Sequence, residues 1–145
     1  MAPIVRSVEI ARSPEDVFAY LSELGRHGEW QQQIVSVKVE TDGPTRVGSR
    51  ASEVRRVPGM TVNSTYEITE YDPPRKASFR VINGPVRPSG TVTVEPAGDG
   101  SRVTLEIEFA GHGIGKLLLP LARRDARKRV PEDQVRLKGR LESGT

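Results

Sequence analysis

"SRVTLEIEFAGHGIGKLLLPLARRDARKRV", residues 101–130, changes its hydrophobic period halfway along. Val103, Leu105, Ile107 and Phe109 alternate with Thr104, Glu106 and Glu108, the pattern of a strand with one dry and one wet face. Past Gly111, Gly113 and Gly115 the apolar residues recur at helical spacing instead. A half-buried strand that runs straight into a long helix predicts that the two share a core, which is an α+β arrangement.

The same two periods sort the rest of the chain. "RSVEIAR" reads as a first strand. In "SPEDVFAYLSELG", Ser13 is a cap, Pro14 suits the first turn, and Glu15 and Asp16 meet the positive end of the helix dipole. Val17, Phe18, Leu21 and Leu24 form the apolar stripe, and Gly25 is placed to end it. "RHGEWQQQI" predicts a short second helix whose large apolar group is Trp30. From Ile34 to Ala110 six more strands follow, punctuated by "DGPT", "PGM", "DPPR", "NGPVRP" and "AGDG". Such short connections predict antiparallel neighbours in a meander. A long helix from about Ile114 to Leu141 closes the chain.

Length and composition set the outer limits. A chain of 145 residues predicts one domain over 1–145. Without cysteine, disulfides, thiolate zinc sites and cysteine nucleophiles are excluded. No run reaches the roughly 18 apolar residues of a membrane span, and no basic region precedes an apolar one near Met1, so a cytoplasmic location is expected. The net charge of +3 is unevenly placed: Lys116–Arg140 holds nine basic and three acidic residues, which leaves −3 for the remainder.

"AGHGIGK" fails as a phosphate loop, because Ala110 stands where the first glycine is needed and Leu117 replaces the magnesium-binding hydroxyl. The basic run Arg123–Arg129 lacks aromatic company, since no aromatic residue follows Phe109. Arg123, Arg124, Arg127 and Lys128 therefore read as the wet face of a packed helix, opposite Ala122, Ala126, Val130 and Leu137. No nucleic-acid partner is expected, only a weak attraction to anionic surfaces. His27 and His112 lack an acidic partner nearby in sequence, so neither a metal site nor a cofactor is expected. Ile114, Leu117, Leu118 and Leu121 form a second apolar stripe, rotated from the first, with Pro120 and Pro131 between and beyond. This predicts bends or a break, and a leucine-rich gate hinged near Gly113–Gly115.

The phrases "VEIARSPEDVFAYLSEL", "EWQQQIVSVKVE", "RVGSR", "YEITEYDPPRKASFRV", "GDGSRVTLEIEF" and "VRLKGRLE" together resemble the START-like helix-grip (SRPBCC) superfamily, in its polyketide cyclase/dehydrase and lipid-transport branch. The resemblance implies a helix-grip fold: a seven-stranded curved antiparallel sheet wrapped around a long C-terminal helix, with two short helices between strands 1 and 2. It carries no catalytic signature that transfers residue by residue.

Sheet and helix together are expected to enclose a cavity, the usual seat of a small ligand. Alternation points Val62, Ser64, Tyr66 and Ile68 inward, together with Ala77, Phe79, Val81 and Asn83. The expected ligand-binding residues are Trp30, Ser64, Tyr66, Phe79 and Asn83 from one part of the wall. Leu105, Ile107, Phe109, Leu117 and Leu121 complete it. Arg55 and Arg56 must face opposite ways, and the pattern leaves open which is inside. The expected partner is a small hydrophobic ligand: a lipid, isoprenoid, polyketide or aromatic compound. One alternative is a polyketide aromatase/cyclase or dehydrase, with Arg55 or Arg56, Tyr66 and Asn83 as donors, Glu53 as base and His112 moving protons. The other is a protein-interaction module. Monomer and homodimer are both compatible with the sequence.

Overall fold

The computed structural model describes residues 2–144. Strand β1 (Ile4–Ile10) leads into helix α1 (Pro14–Leu21), where the Asp16 N–H donates to the Ser13 hydroxyl at 3.2 Å and closes the expected cap. The helix ends sooner than Gly25, at Leu21, with Ser22 as its C-cap. The second helix is a 3-10 segment, Leu24–Glu29, that stops before Trp30. Glycines at 25 and 28 lower helix propensity there, and only a short tight turn forms.

Six further strands follow: β2 (Ile34–Val39), β3 (Arg50–Val57), β4 (Met60–Asp72), β5 (Lys76–Val81), β6 (Val86–Ala97) and β7 (Gly100–Gly111). They form one seven-stranded antiparallel sheet in the order β1-β7-β6-β5-β4-β3-β2. Val103 pairs with Val94 and Ile107 with Gly90, all on the inward face. Gly90 leaves room for the Phe79 ring, which would lie 2.7 Å from a Cβ at that position. A bulge between Ile68 and Glu70 brings Tyr71 back to the inward side.

Helix α2 (Gly115–Glu142) runs through Pro120 and Pro131 without a break. Each proline forfeits one ladder hydrogen bond, but packing of the buried side holds the helix together. The buried row is Arg123, Ala126, Val130, Asp133, Gln134, Leu137 and Leu141. Its C-terminal half meets Ile10, Val17, Phe18, Tyr20, Val94 and Val103 in the main core. Its first half meets Ile4 and Ile107. Gly115 is a contact rather than a hinge: a Cβ there would lie 1.8 Å from the Pro85 carbonyl oxygen.

The placement of α2 shapes the inward face. The helix packs on β1, β7 and β6 and makes no comparable contact with β3, β4 or β5. Leu24, Ala51, Tyr66, Ile68 and Val81 therefore form an apolar cluster separate from that of Ile4, Ile107, Ala126 and Val130. At the borders of the two clusters Phe79, Leu105 and Phe109 face inward yet stay partly exposed.

Candidate functional site

On β3 the alternation resolves the arginine question. Ala51, Glu53 and Arg55 point inward, while Arg56 is exposed. Residues two apart on a strand share a face, and the Arg55 Nε donates to the Glu53 carboxylate at 2.5 Å. Arg55 Nη2 donates to the Gln31 side chain. Glu53 is only 7% exposed, so this ion pair sits where desolvation is costly. Across the ladder, Tyr66 lies opposite Ala51 and Ser64 opposite Glu53.

Among the described residues, three buried donors in this part of the fold lack partners. Arg55 Nη1, the Tyr66 hydroxyl and Trp30 Nε1 are buried without a hydrogen bond. Burial first, and then the nearby Glu53 carboxylate, push the Tyr66 phenol far above its ordinary value, so it stays a neutral donor. The Tyr66 ring meets Phe79 edge-on at 6.0 Å, and Trp30 meets His27 edge-on at 5.5 Å. Two other guanidinium nitrogens, Arg123 Nε and Arg140 Nε, are also unpartnered. Both belong to groups anchored elsewhere, Arg123 on the Ala2 carbonyl and Arg140 on Glu29.

His27 completes the group. Its Nε2 lies 2.8 Å from the Leu21 carbonyl. A carbonyl only accepts, so Nε2 carries the proton and Nδ1 is left as an acceptor. Burial lowers the imidazole's pKa and keeps it neutral, with the Glu53 and Arg55 charges acting on it in opposite senses.

The helix contributes a polar row. Arg129 lies between Asp125 at 3.4 Å and Asp133 at 3.5 Å. Asp125 also accepts from Gln33 at 3.2 Å, and Asp133 from the Gln32 N–H at 3.3 Å. Burial lowers Arg129, and the Arg55 charge adds to that; burial likewise raises Asp133. Asp125 and Arg129 share one side of α2 with Leu118 and Ala122, at successive three- and four-residue steps. At Asp125 that side meets Gln33, just before β2.

Two shallow clefts stand out among the described residues. One, about 420 Å³, lies on the outer face of the sheet among Thr69, Ser78, Arg80, Ser89, Thr91 and Glu106. The other, about 160 Å³, lies at the seam of Gln32 and Gln33 with Asp125, Lys128 and Arg129. Neither is the enclosed cavity expected between the sheet's inward face and the helix, although Ser64, Phe79, Leu105 and Phe109 on that face stay partly exposed.

Of the residues expected to bind ligand, Ser64, Tyr66 and Phe79 lie near Glu53 on neighbouring strands, while Trp30 packs against the main core, edge-on to His27. Leu105, Ile107 and Phe109 line the opposite border, with Ile107 buried. Asn83 lies elsewhere: it is exposed, and its side-chain oxygen accepts from the Thr65 N–H at 2.9 Å, tying the end of β5 to β4. Leu117 and Leu121 are also away from the site, exposed on the side of α2 opposite its buried row. His112 is exposed in the glycine loop. Arg123 departs from the expected wet face and is buried, donating to the Ala2 carbonyl at 2.9 Å. His27, Gln31 and Arg129 were missed by sequence reasoning. The 118-122-125-129 spacing could have drawn attention to Arg129, but nothing local marks His27.

Comparison with known proteins agrees with this geometry. The model of the family described as polyketide cyclase / dehydrase and lipid transport matches residues 1–142. The uncharacterized protein Rv1546 of Mycobacterium tuberculosis is 29% identical over 115 residues, covering 79% of this chain and 80% of that protein. The crystal structure of TTHA0849 from Thermus thermophilus superimposes with a TM-score of 0.83 at 23% identity, covering 99% of each chain. The di-domain ARO/CYC BexL from the BE-7585A biosynthetic pathway gives a TM-score of 0.77 at 21% identity, over 98% of this chain and 47% of that one. With its seven-stranded grip on a long C-terminal helix, the chain belongs to the polyketide cyclase/dehydrase and lipid transport family.

Proposed function

We propose that the protein binds a small, largely apolar molecule bearing a carbonyl-type oxygen, in the cleft between β3–β5 and α2. The observation that carries this is the set of unpartnered buried donors: Arg55 Nη1, Tyr66 Oη and Trp30 Nε1. Each unmet buried donor costs about 1–3 kcal/mol, which a ligand acceptor would relieve. Ser64, Phe79, Leu105 and Phe109 supply a half-open, mainly apolar bed for the carbon skeleton. A lipid, isoprenoid, polyketide or aromatic ligand with such an oxygen meets these requirements.

Native mass spectrometry of freshly purified protein tests this reading. A co-purified oxygenated apolar molecule, reduced in Arg55→Met, is the expected result. Protein that stays unliganded, even after incubation with an aromatic ketone, would count against it.

A second reading, cyclisation or dehydration of a poly-carbonyl chain, draws support from the buried Glu53 and neutral His27 beside those donors. Arg55 and Tyr66 would hold the oxygen of an enolate while Glu53 or His27 takes a proton from the neighbouring carbon. The structural likeness to the di-domain ARO/CYC protein is compatible with it. Product analysis with a linear poly-β-ketone is the check: turnover abolished in Glu53→Gln or His27→Gln favours catalysis, and binding without turnover favours carriage.

A further inference from the structure

Helix α2 carries an apolar ridge that the fold does not use. Ile114, Leu117 and Leu121 are 70%, 77% and 65% exposed. They recur at three- and four-residue steps, so they stand in one row on the side opposite Ala126, Val130 and Leu137. The same row continues into Arg124 and Lys128, both exposed, and Arg127, also exposed, stands beside it. From Ile114 to Lys128 the row is about 21 Å long at 1.5 Å per residue.

We infer that this ridge docks on an anionic lipid bilayer, with the three apolar side chains entering the interface and the basic ones meeting lipid phosphates. Charge decides the occupant. A second copy of the chain would cover the apolar groups but bring an equally basic row, with no anionic partner for Arg124 and Lys128. A nucleic acid would match the charge but leave the three exposed apolar groups without a partner. A bilayer surface with negative headgroups satisfies both features, as in helices that lie in the membrane plane. The excess of nine basic over three acidic residues in Lys116–Arg140 acts in the same direction. Because the ridge and the Leu118–Ala122 side belong to the same turns of α2, docking would bring the half-open cleft near the lipid. Docking of the ridge is independent of what the cleft holds.

Vesicle flotation of the full chain tests it, using phosphatidylcholine alone and phosphatidylcholine mixed with phosphatidylglycerol. Binding is expected to the mixed vesicles only, and to weaken with added salt. Arg124→Gln and Lys128→Gln are each expected to weaken it about fivefold. The double variant Leu117→Ser/Leu121→Ser is expected to weaken it at least tenfold, from the apolar area lost. All these side chains are exposed, so circular dichroism and thermal melting should match the parent. Equal binding to neutral vesicles, no response to either set of substitutions, or a dimer in light scattering that the serine variant dissolves would overturn the inference.

Discussion

Arg55 and Glu53 are held 2.5 Å apart on the inward face of β3, two residues from each other. Their pairing controls the interior, because removing one partner strands the other charge where water is scarce. Glu53→Gln is therefore expected to destabilise the fold by about 3 kcal/mol in urea unfolding. The double variant Glu53→Gln/Arg55→Met should recover much of that loss. A double variant no better than the single one would mean that the pair is not the relevant unit.

Tyr66→Phe is expected to have opposite effects on stability and binding. Its buried hydroxyl has no hydrogen-bond partner among the described residues, so its removal should leave stability unchanged or raise it by about 1 kcal/mol. Affinity for an aromatic ketone should fall about tenfold, the scale of discrimination expected when a site donor is deleted. Thermal melting and equilibrium dialysis measure the two halves.

His27 gives a pH signature. Burial holds its folded pKa below the ordinary value of about 6.5. Above that pH both states are neutral and nothing changes. As pH falls below it, the unfolded chain takes up a proton that the folded protein refuses, so stability declines. Urea midpoints measured from pH 7 to pH 5 should decline in the parent and flatten in His27→Gln. Glu29 acts lower: Arg26 first, then Arg140 and Tyr20, hold it at about 2, so its contribution is lost as pH falls from about 4.5 toward 2. The two windows are separable.

Helix α2 offers a test of its orientation. Leu137 is 1% exposed in the main core, and Leu137→Ala should cost about 3 kcal/mol. Leu117→Ala, on the opposite side, should cost less than about 0.5 kcal/mol. Comparable losses at both positions would place Leu117 against the sheet.

Much of this architecture is legible in the sequence because the responsible signals are local. The β7 alternation, the Ser13 cap and the turn residues each act within a few positions, and the structure reproduces them. The helix is harder to read, since apolar character does not imply burial. Leu117 and Leu121 look like core, yet Arg123 is the buried residue, because the Ala2 carbonyl meets its guanidinium from a distant strand end. Asn83 continues the inward alternation of β5 only until that strand ends at Val81, and it then bonds to the Thr65 backbone. The site is partly visible: Ser64, Tyr66 and Phe79 follow from period two, and Trp30 from being the one large apolar group of the short second helix. His27, Gln31 and Arg129 are assembled from a 3-10 turn, a loop and a helix, and no local pattern announces that meeting.

The most direct test of the central claim compares two ligands of one carbon skeleton, 2-acetylnaphthalene and 2-ethylnaphthalene, by equilibrium dialysis against the parent and Tyr66→Phe. The donors of Arg55, Tyr66 and Trp30 predict that the ketone binds the parent about tenfold more tightly than the hydrocarbon, and that Tyr66→Phe narrows the gap. Equal affinity for the two compounds in the parent protein would contradict it.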